Sequence, residues 1–407
     1  MRILLLTYRG NPYCGGQGIY AGYLAREWAR MGHEVHVIHG PPYAPEEPGI
    51  HWHRVEGSNP MDGPHARTPT QALRDFLPLN LLERMLAMAG QFPEMHAFSW
   101  RAFLLARRLF RQMRFDVVLD NQTLGWGLLP MQALGVPLVA TLHHPLTVDR
   151  QRGFDPPSPF MDRLNKVRFY PILMQRAVVR RMPLVVTVSH ASAEAIIRDF
   201  GVPRERLRVV YNGIDTDTFR PRPEIARVPG RVVFVGNLED PNKGGRFLLH
   251  AMGMLPRAHL VVATGGVTQW DWLHDLVRRH GLGGRLVLHE RLSRAELAEL
   301  YATAQVAVSP SLFEGFGFPA GEALACGVPL VAASGSALSE VVGDAGLLVP
   351  PANPVALAEA LRAVLQGRTL RERLAARARP RVQRRFRWAG AATQMIQVFQ
   401  EAAHAHH

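Results

Sequence analysis

Cysteine is scarce in this chain: Cys14 and Cys326 are the only two in 407 residues. Two thiols close at most one bridge, so a disulfide framework is excluded, and a reducing, cytosolic setting is the simpler expectation. Neither has a neighbouring cysteine at a metal-ligand spacing. Long hydrophobic runs are also missing. No stretch reaches the about 18 apolar residues that a spanning helix needs, so no transmembrane helix is expected. The opening MRILLLTY carries one arginine and runs straight into a Gly-rich loop, not a small-residue cleavage site. It reads as a buried strand rather than a signal peptide. Low-complexity tracts are absent, as is any repeat of roughly 20–50 residues that would build a solenoid.

Negative charge is in short supply. Asp and Glu number 34 against 47 Lys and Arg, a formal charge of +13, and Arg greatly outnumbers Lys. Such an excess either serves solubility or calls for an acidic partner: a phosphorylated substrate, an anionic membrane face or nucleic acid. No recognised nucleic-acid-binding motif accompanies it, so a nucleic-acid partner is not expected. What remains is an ordinary globular balance, 47% apolar and 20% charged, in a chain long enough for two domains with proper cores.

The pattern along the chain alternates strand and helix. Residues 3–7 are a continuous apolar run, as expected of a parallel strand buried on both faces. Residues 11–18 supply a turn, 19–31 carry apolar residues at helical spacing with Gly32 as a C-cap, and 34–38 form the next strand. This is a βαβ unit. Further strands are expected at 116–120, 137–142, 184–188 and 208–211. A second series follows, with strands at 232–236, 259–263, 285–289, 306–309 and 330–332. Helices are expected near 244–254, 271–280, 294–302, 317–325 and 354–366. Two successive series predict two doubly wound parallel sheets of the α/β class. The Pro-rich, polar segment 220–230 reads as linker, and 386–403 as a last helix. Ligands of such sheets sit beyond the carboxyl ends of the strands, so the expected site is the cleft between the two domains.

The motifs fall just after strands. Residues 309–328 read SPSLFEGFGFPAGEALACGV. Gly315 and Gly317 allow a close backbone approach to a ligand, and Phe316 to Gly321 open a helix whose N–H groups can hold an anion, with Phe316, Gly317 and Phe318 as the candidate donor-binding residues. Glu314 lies before that helix and Glu322 within it. Two acceptors beside a helix start suit a molecule with hydroxyls and phosphates, such as a nucleotide sugar. The alternative is a capped helix with a solvated Glu pair. Residues 233–245, VFVGNLEDPNKGG, place Lys243 before a helix, where a compact charge suits a diphosphate. Gly15 and Gly16 sit in the turn after the first strand, a weak signal by itself. His143 and His144 end another strand, where a neutral imidazole bonds a hydroxyl or serves structure.

Together these motifs resemble the retaining glycosyltransferases of family 4. Glu314 and Glu322 have the E-x7-E spacing, and Pro310-Ser311, Glu-Gly-Phe-Gly, Pro319 and the ACGVPLVA tail also fit. So do Val188-Ser189, Asn212-Gly213-x-Asp215, Phe219 and Pro221 as inter-domain landmarks. The likeness runs from the first strand to Phe386-Arg387-Trp388 and weakens between residues 40 and 110. It implies the GT-B fold: two Rossmann-like domains facing across a cleft, an acceptor-side domain at 1–215 completed by 386–407 and a nucleotide-sugar domain at 216–385. It implies transfer of a sugar from a UDP-, GDP- or ADP-sugar to an acceptor hydroxyl of a lipid-linked, saccharide or small-molecule acceptor. Glu314 would bond donor-sugar hydroxyls and Glu322 the ribose. The Phe316 and Gly317 amides would lie near the sugar or phosphate, Lys243 and Gly16 (with Gly15) at the diphosphate, and His143, or else His144, at the donor sugar.

In one respect the chain departs from the pattern: Asn237 stands where the family has an arginine, with Arg246 and Arg291 as candidate substitutes. No cofactor and no metal are implied. Asp215-Thr216-Asp217 looks like a metal-binding DxD but falls inside the Asn-Gly-x-Asp landmark. Residues 73–115 contain two apolar segments with basic punctuation, readable as core-packed helices or as a surface lying on an anionic membrane. A cytoplasmic protein, peripheral at most on the inner membrane face, is the resulting expectation. The competing functions are a GT-B epimerase or disaccharide phosphorylase, and a degenerate sugar-nucleotide binder.

Overall fold

The computed structural model describes residues 1–10, 16–43, 45–57, 78–90, 92–152 and 169–406. The chain divides into two compact units. The first comprises Met1–Val188, Ser192–Val210 and Trp388–His407, the second Ser189–Ala191 and Tyr211–Arg387.

The first unit is built on a seven-stranded sheet ordered β3-β2-β1-β4-β5-β6-β7. Its strands are β1 (Arg2–Thr7), β2 (Glu34–His39), β3 (Ile50–Arg54), β4 (Val117–Asn121), β5 (Leu138–Thr141), β6 (Leu184–Thr187) and β7 (Leu207–Val209), and every pairing is parallel. Its helices are α1 (Gly16–Arg30), α2 (Pro78–Met88), α3 (Glu94–Gln112), α4 (Leu128–Gln132), α5 (Leu146–Arg152), α6 (Ile172–Val179) and α7 (His190–Phe200). Ile3, Leu4, Leu5 and Leu6 are all fully buried. A central strand covered on both faces has no wet side, hence the unbroken apolar run.

The second unit holds six parallel strands in the order β10-β9-β8-β11-β12-β13. They are β8 (Arg231–Val235), β9 (His259–Thr264), β10 (Leu286–Glu290), β11 (Val306–Ser309), β12 (Leu330–Ala333) and β13 (Gly346–Val349). The helices are α8 (Gly245–Gly253), α9 (Trp270–Arg279), α10 (Arg294–Thr303), α11 (Phe318–Ala325), α12 (Ser336–Val342), α13 (Pro354–Gln366) and α14 (Arg368–Arg385). A last helix, α15 (Trp388–His406), belongs to the first unit. There Trp28 of α1 donates its indole N–H to the Ala392 carbonyl (3.2 Å), and Tyr23 stacks on Trp388 with centroids 5.0 Å apart.

Two strands and two helices lie outside the sequence expectation, each for a physical reason. The edge strand β3, IHWHR, carries four ring or basic side chains that are partly or fully exposed, so it lacks an apolar signature. The edge strand β13 starts on a glycine. Helix α12 is only seven residues long, too short for a clear helical period, and is separated from β12 by two residues. Helix α14 is arginine-rich with Pro380 inside it, yet Leu374, Ala378 and Val382 recur every four residues and are buried. Of the two segments within 73–115, α3 is core-packed: Met95, Phe98, Ala102, Ala106 and Leu109 point inward while Arg107, Arg108 and Arg111 are exposed. Helix α2 instead exposes Leu81, Leu82, Met85 and Met88, and buries Glu83 against Arg101 (2.6 Å).

Candidate active site

In each sheet the strand order reverses once, between β1 and β4 in the first and between β8 and β11 in the second. At such a switch point the loops leave the sheet in opposite directions and open a crevice at the carboxyl ends. The polar residues singled out above gather at these two places.

In the first unit, His143 lies just beyond β5, 8% exposed. Asp120, at the end of β4, accepts the Leu124 amide (2.9 Å) and braces a turn in which Gln122 and Leu124 both adopt positive φ, 58° and 44°. Burial pushes the Asp120 carboxyl up to about 7. The braced turn aims Gln122 Oε1 at the His143 amide, which donates to it (2.7 Å). The Asn121 side chain determines the ring's tautomer. Its Nδ2 donates to the Gln17 carbonyl (3.0 Å), so its Oδ1 is the atom facing His143 Nε2 (2.8 Å). Nε2 therefore carries the proton and Nδ1 is left as an acceptor. Tyr20 meets the ring edge-on at 4.8 Å. Burial, with His144 nearby, drives the His143 pKa down to about 3, so the imidazole is neutral at physiological pH. His144 turns instead to Asp149 (3.0 Å). Gly16 begins α1 and is exposed. Gly15 and Cys14 lie outside the described residues.

In the second unit the loops after β8 and β11 are joined backbone to backbone. The Leu312 amide donates to the Asn242 carbonyl (2.7 Å). Gly244, at φ 69°, packs so closely on the Pro310 carbonyl that a side chain would collide with it. This junction brings Lys243 Nζ to Glu314 Oε1 (2.7 Å), and the Ser311 hydroxyl donates to the same oxygen (2.8 Å). Both bonds use one oxygen, so Oε2 meets no donor among the described residues. Gly317 caps α11 at φ 96°, and a Cβ there would sit 2.8 Å from Leu338 Cδ2. The Phe316 ring is buried between Phe318 (5.3 Å) and Phe386 (5.5 Å). Glu322 is 5% exposed in α11, and burial raises its pKa to about 7.

Two residues at these places, Arg294 and Asn121, were not singled out from the sequence, and Ser311 was noted there only as part of a motif. Arg294 opens α10 and lies 3.6 Å from Glu322 Oε1 and 3.7 Å from Asp215 Oδ2, with its guanidinium over the Phe219 ring. Asp215 Oδ1 accepts the amides of Asp217 and Thr218, so this DxD is a turn brace and an arginine partner. Asn121 ends β4 and Ser311 lies two residues beyond β11, both next to the switch points, a signal that was present in the sequence. Asn237 is exposed and gives its Oδ1 to the Glu239 amide (2.9 Å), closing a local turn. Arg246 lies over its neighbour Phe247 (4.6 Å), and Arg291 Nε is 3.5 Å from the Gly265 carbonyl.

Residues 14–218 match the model of Glycosyltransferase Family 4, and residues 229–367 that of Glycosyl transferases group 1. The chain belongs to glycosyltransferase family 4. It is 38% identical to the MMP α-(1→4)-mannosyltransferase of Mycolicibacterium hassiacum, over 99% of this chain and 98% of that protein. It is 30% identical to the D-inositol 3-phosphate glycosyltransferase of Xylanimonas cellulosilytica, over 98% and 94%. Among solved structures, sucrose-phosphate synthase from Thermosynechococcus elongatus superposes with a TM-score of 0.76 at 22% identity over 100% of both chains. Anabaena HepE in complex with UDP-glucose gives 0.68 at 20% identity, over 98% and 100%. The fold of this family 4 member is GT-B, and its activity is that of a glycosyltransferase.

Proposed function

We propose that the chain is a retaining, metal-independent glycosyltransferase that moves a hexosyl group, mannosyl first among them, from a nucleotide-diphosphate sugar to a hydroxyl of a saccharide or lipid-linked acceptor. The observation that carries this is the Lys243–Glu314 pair at the switch point of the second sheet. A cation and a carboxylate with one oxygen open offer a phosphate and a sugar hydroxyl their complements side by side. In this reading Lys243 and the amides that open α11 offset the charge that builds on the leaving diphosphate. Glu314 Oε2 accepts a donor-sugar hydroxyl, and Glu322 a ribose hydroxyl. His143 Nδ1 accepts a further sugar hydroxyl, and Gly16 admits the diphosphate. The acceptor hydroxyl attacks the face that the diphosphate leaves, and the departing phosphate takes its proton. An α-(1→4) linkage, as named for the mycobacterial relative, is what retention yields from an α-configured donor.

The solved complexes of HepE with UDP and UDP-glucose support a nucleotide-sugar donor. With full-length likeness to two glycosyltransferases, they favour transfer over epimerisation, phosphorolysis or mere binding. The apolar face of α2, with Arg84 on the same exposed helix, supports peripheral contact with an anionic membrane; no described helix is long and apolar enough to cross one.

The test is a thermal-shift panel of UDP, GDP, ADP and their sugar conjugates with chelator present. One nucleotide should raise the midpoint selectively, because a ligand that binds only the folded state stabilises it. An acceptor screen with that donor should then give a product of retained anomeric configuration by NMR. No shift with any nucleotide at about millimolar concentration, far above an ordinary Kd, sinks the proposal.

A further inference from the structure

The outer strands of the first sheet carry a second polar cluster that the transfer reaction does not use. In β2 and β3, successive side chains alternate faces, and the parallel register sets His36 opposite His51 and Ile38 opposite His53. Glu34, His36, His51 and His53 thus share one face of the sheet. His36 Nε2 lies 3.0 Å from Glu34 Oε1, and His36 Nδ1 lies 3.0 Å from His53 Nε2. The His36 and His51 rings stack at 4.4 Å. One ligand atom each from Glu34, His36 and His51 fall within 4.8 Å of one another.

We propose that Glu34, His36 and His51 bind a divalent transition-metal ion of the zinc type, tying the edge strand β3 to β2. Around tetrahedral zinc with bonds of about 2.0–2.1 Å, ligand atoms are separated by roughly 3.3 Å. The contact between Glu34 Oε1 and His36 Nε2 is near that separation, and a modest turn of the His51 ring completes a triad with a fourth position for water. The surrounding groups suit the task. In the metal-free chain His36 Nε2 donates to the acceptor-only Glu34 carboxylate, so a bound metal ion would replace that proton, while the contact of His36 Nδ1 with His53 Nε2 holds the ring and Arg2 holds the other carboxylate oxygen of Glu34 at 2.7 Å. His36 is buried, with Phe115 edge-on at 5.1 Å. Two imidazoles with one carboxylate select zinc, nickel or copper over magnesium or calcium.

The test uses the full-length chain, stripped with chelator, with His404→Ala, His406→Ala and His407→Ala in every sample so that the carboxyl-terminal histidines do not bind metal. Isothermal titration with zinc chloride should show one saturable binding phase, unaffected by excess magnesium. His51→Ala and Glu34→Gln should each weaken it by about tenfold or more. His51 is exposed and the Glu34 side chain 40% exposed, so both variants should fold, which circular dichroism checks. Saturating zinc should also raise the melting midpoint of the parent but not of His51→Ala. Zinc uptake unchanged in both variants, or absent from the parent, overturns the proposal.

Discussion

His143 and Glu322 both sit in buried positions, and burial moves their protons in opposite directions. Loss of solvation disfavours whichever form is charged, so the imidazole falls to about 3 and the carboxyl rises to about 7. A neutral imidazole that accepts one hydroxyl bond contributes ~1 kcal/mol, so His143→Ala should lower kcat/KM about fivefold. That ratio should hold from about pH 6 to 9, well above the folded pKa. A ratio that changes with pH would show that the ring titrates during turnover. The same ring affects stability. Its folded pKa is depressed, so the unfolded chain binds the proton that the folded chain refuses. The stability difference between wild type and His143→Ala should therefore be constant above about pH 6.5 and shrink as pH falls toward 3, read as melting midpoints. At the proposed diphosphate site the expected effects are larger. Lys243→Ala and Glu314→Ala should each cut turnover by roughly 10²-fold or more, the scale of a lost transition-state contact. Near-normal initial rates in both variants would remove these residues from the mechanism.

At the scale of elements, the position of Lys243 depends on Gly244. The loop after β8 reaches the loop after β11 only because residue 244 adopts φ 69° and carries no Cβ against the Pro310 carbonyl. Gly244→Ala meets both penalties. Left-handed backbone costs an L-residue about 1–2 kcal/mol before any collision is counted. The variant should melt several degrees lower and lose turnover through misplacement of Lys243, even though Lys243 itself is intact. A variant with unchanged midpoint and rate would show that the junction yields. Most elements were legible in the sequence, since apolar runs between helical repeats mark the strands of parallel sheets. Edge strand β3 was not, because three of its five residues are His or Arg on an edge strand. Helix α14 was not, because its arginines mask a narrow buried stripe.

Those arginines also bear on the whole molecule. The charge of +13 left two readings open, solubility or an acidic partner. Part of it is used internally. Arg379 donates to the Phe219 and Ala325 carbonyls, Arg381 to Glu340 and Val341, and Arg285 to Leu255 and Ala258. Ala325 ends α11, and Glu340 and Val341 lie in the last turn of α12, where unpaired carbonyls attract cations. Integrity of the first unit rests on its distant end as well. Phe399 of α15 is fully buried against Trp28 of α1, centroids 5.4 Å apart. Phe399→Ala should destabilise by roughly 3–5 kcal/mol, seen as a lower denaturant midpoint. A loss below about 1 kcal/mol would mean that α15 is dispensable to that core.

The amino-acid sequence by itself determined the class of fold, the family and the places where the chemistry-bearing residues fall along the chain. Apolar periodicity and glycine turns are local, and a chain reports local physics directly. Three features were decided only by tertiary structure: the tautomer of His143, the pairing of Glu322 with Arg294, and the grouping of Glu34, His36 and His51. Each depends on which residues distant in sequence share a buried space. Burial and hydrogen-bond partners belong to the packed chain, and no local pattern encodes them.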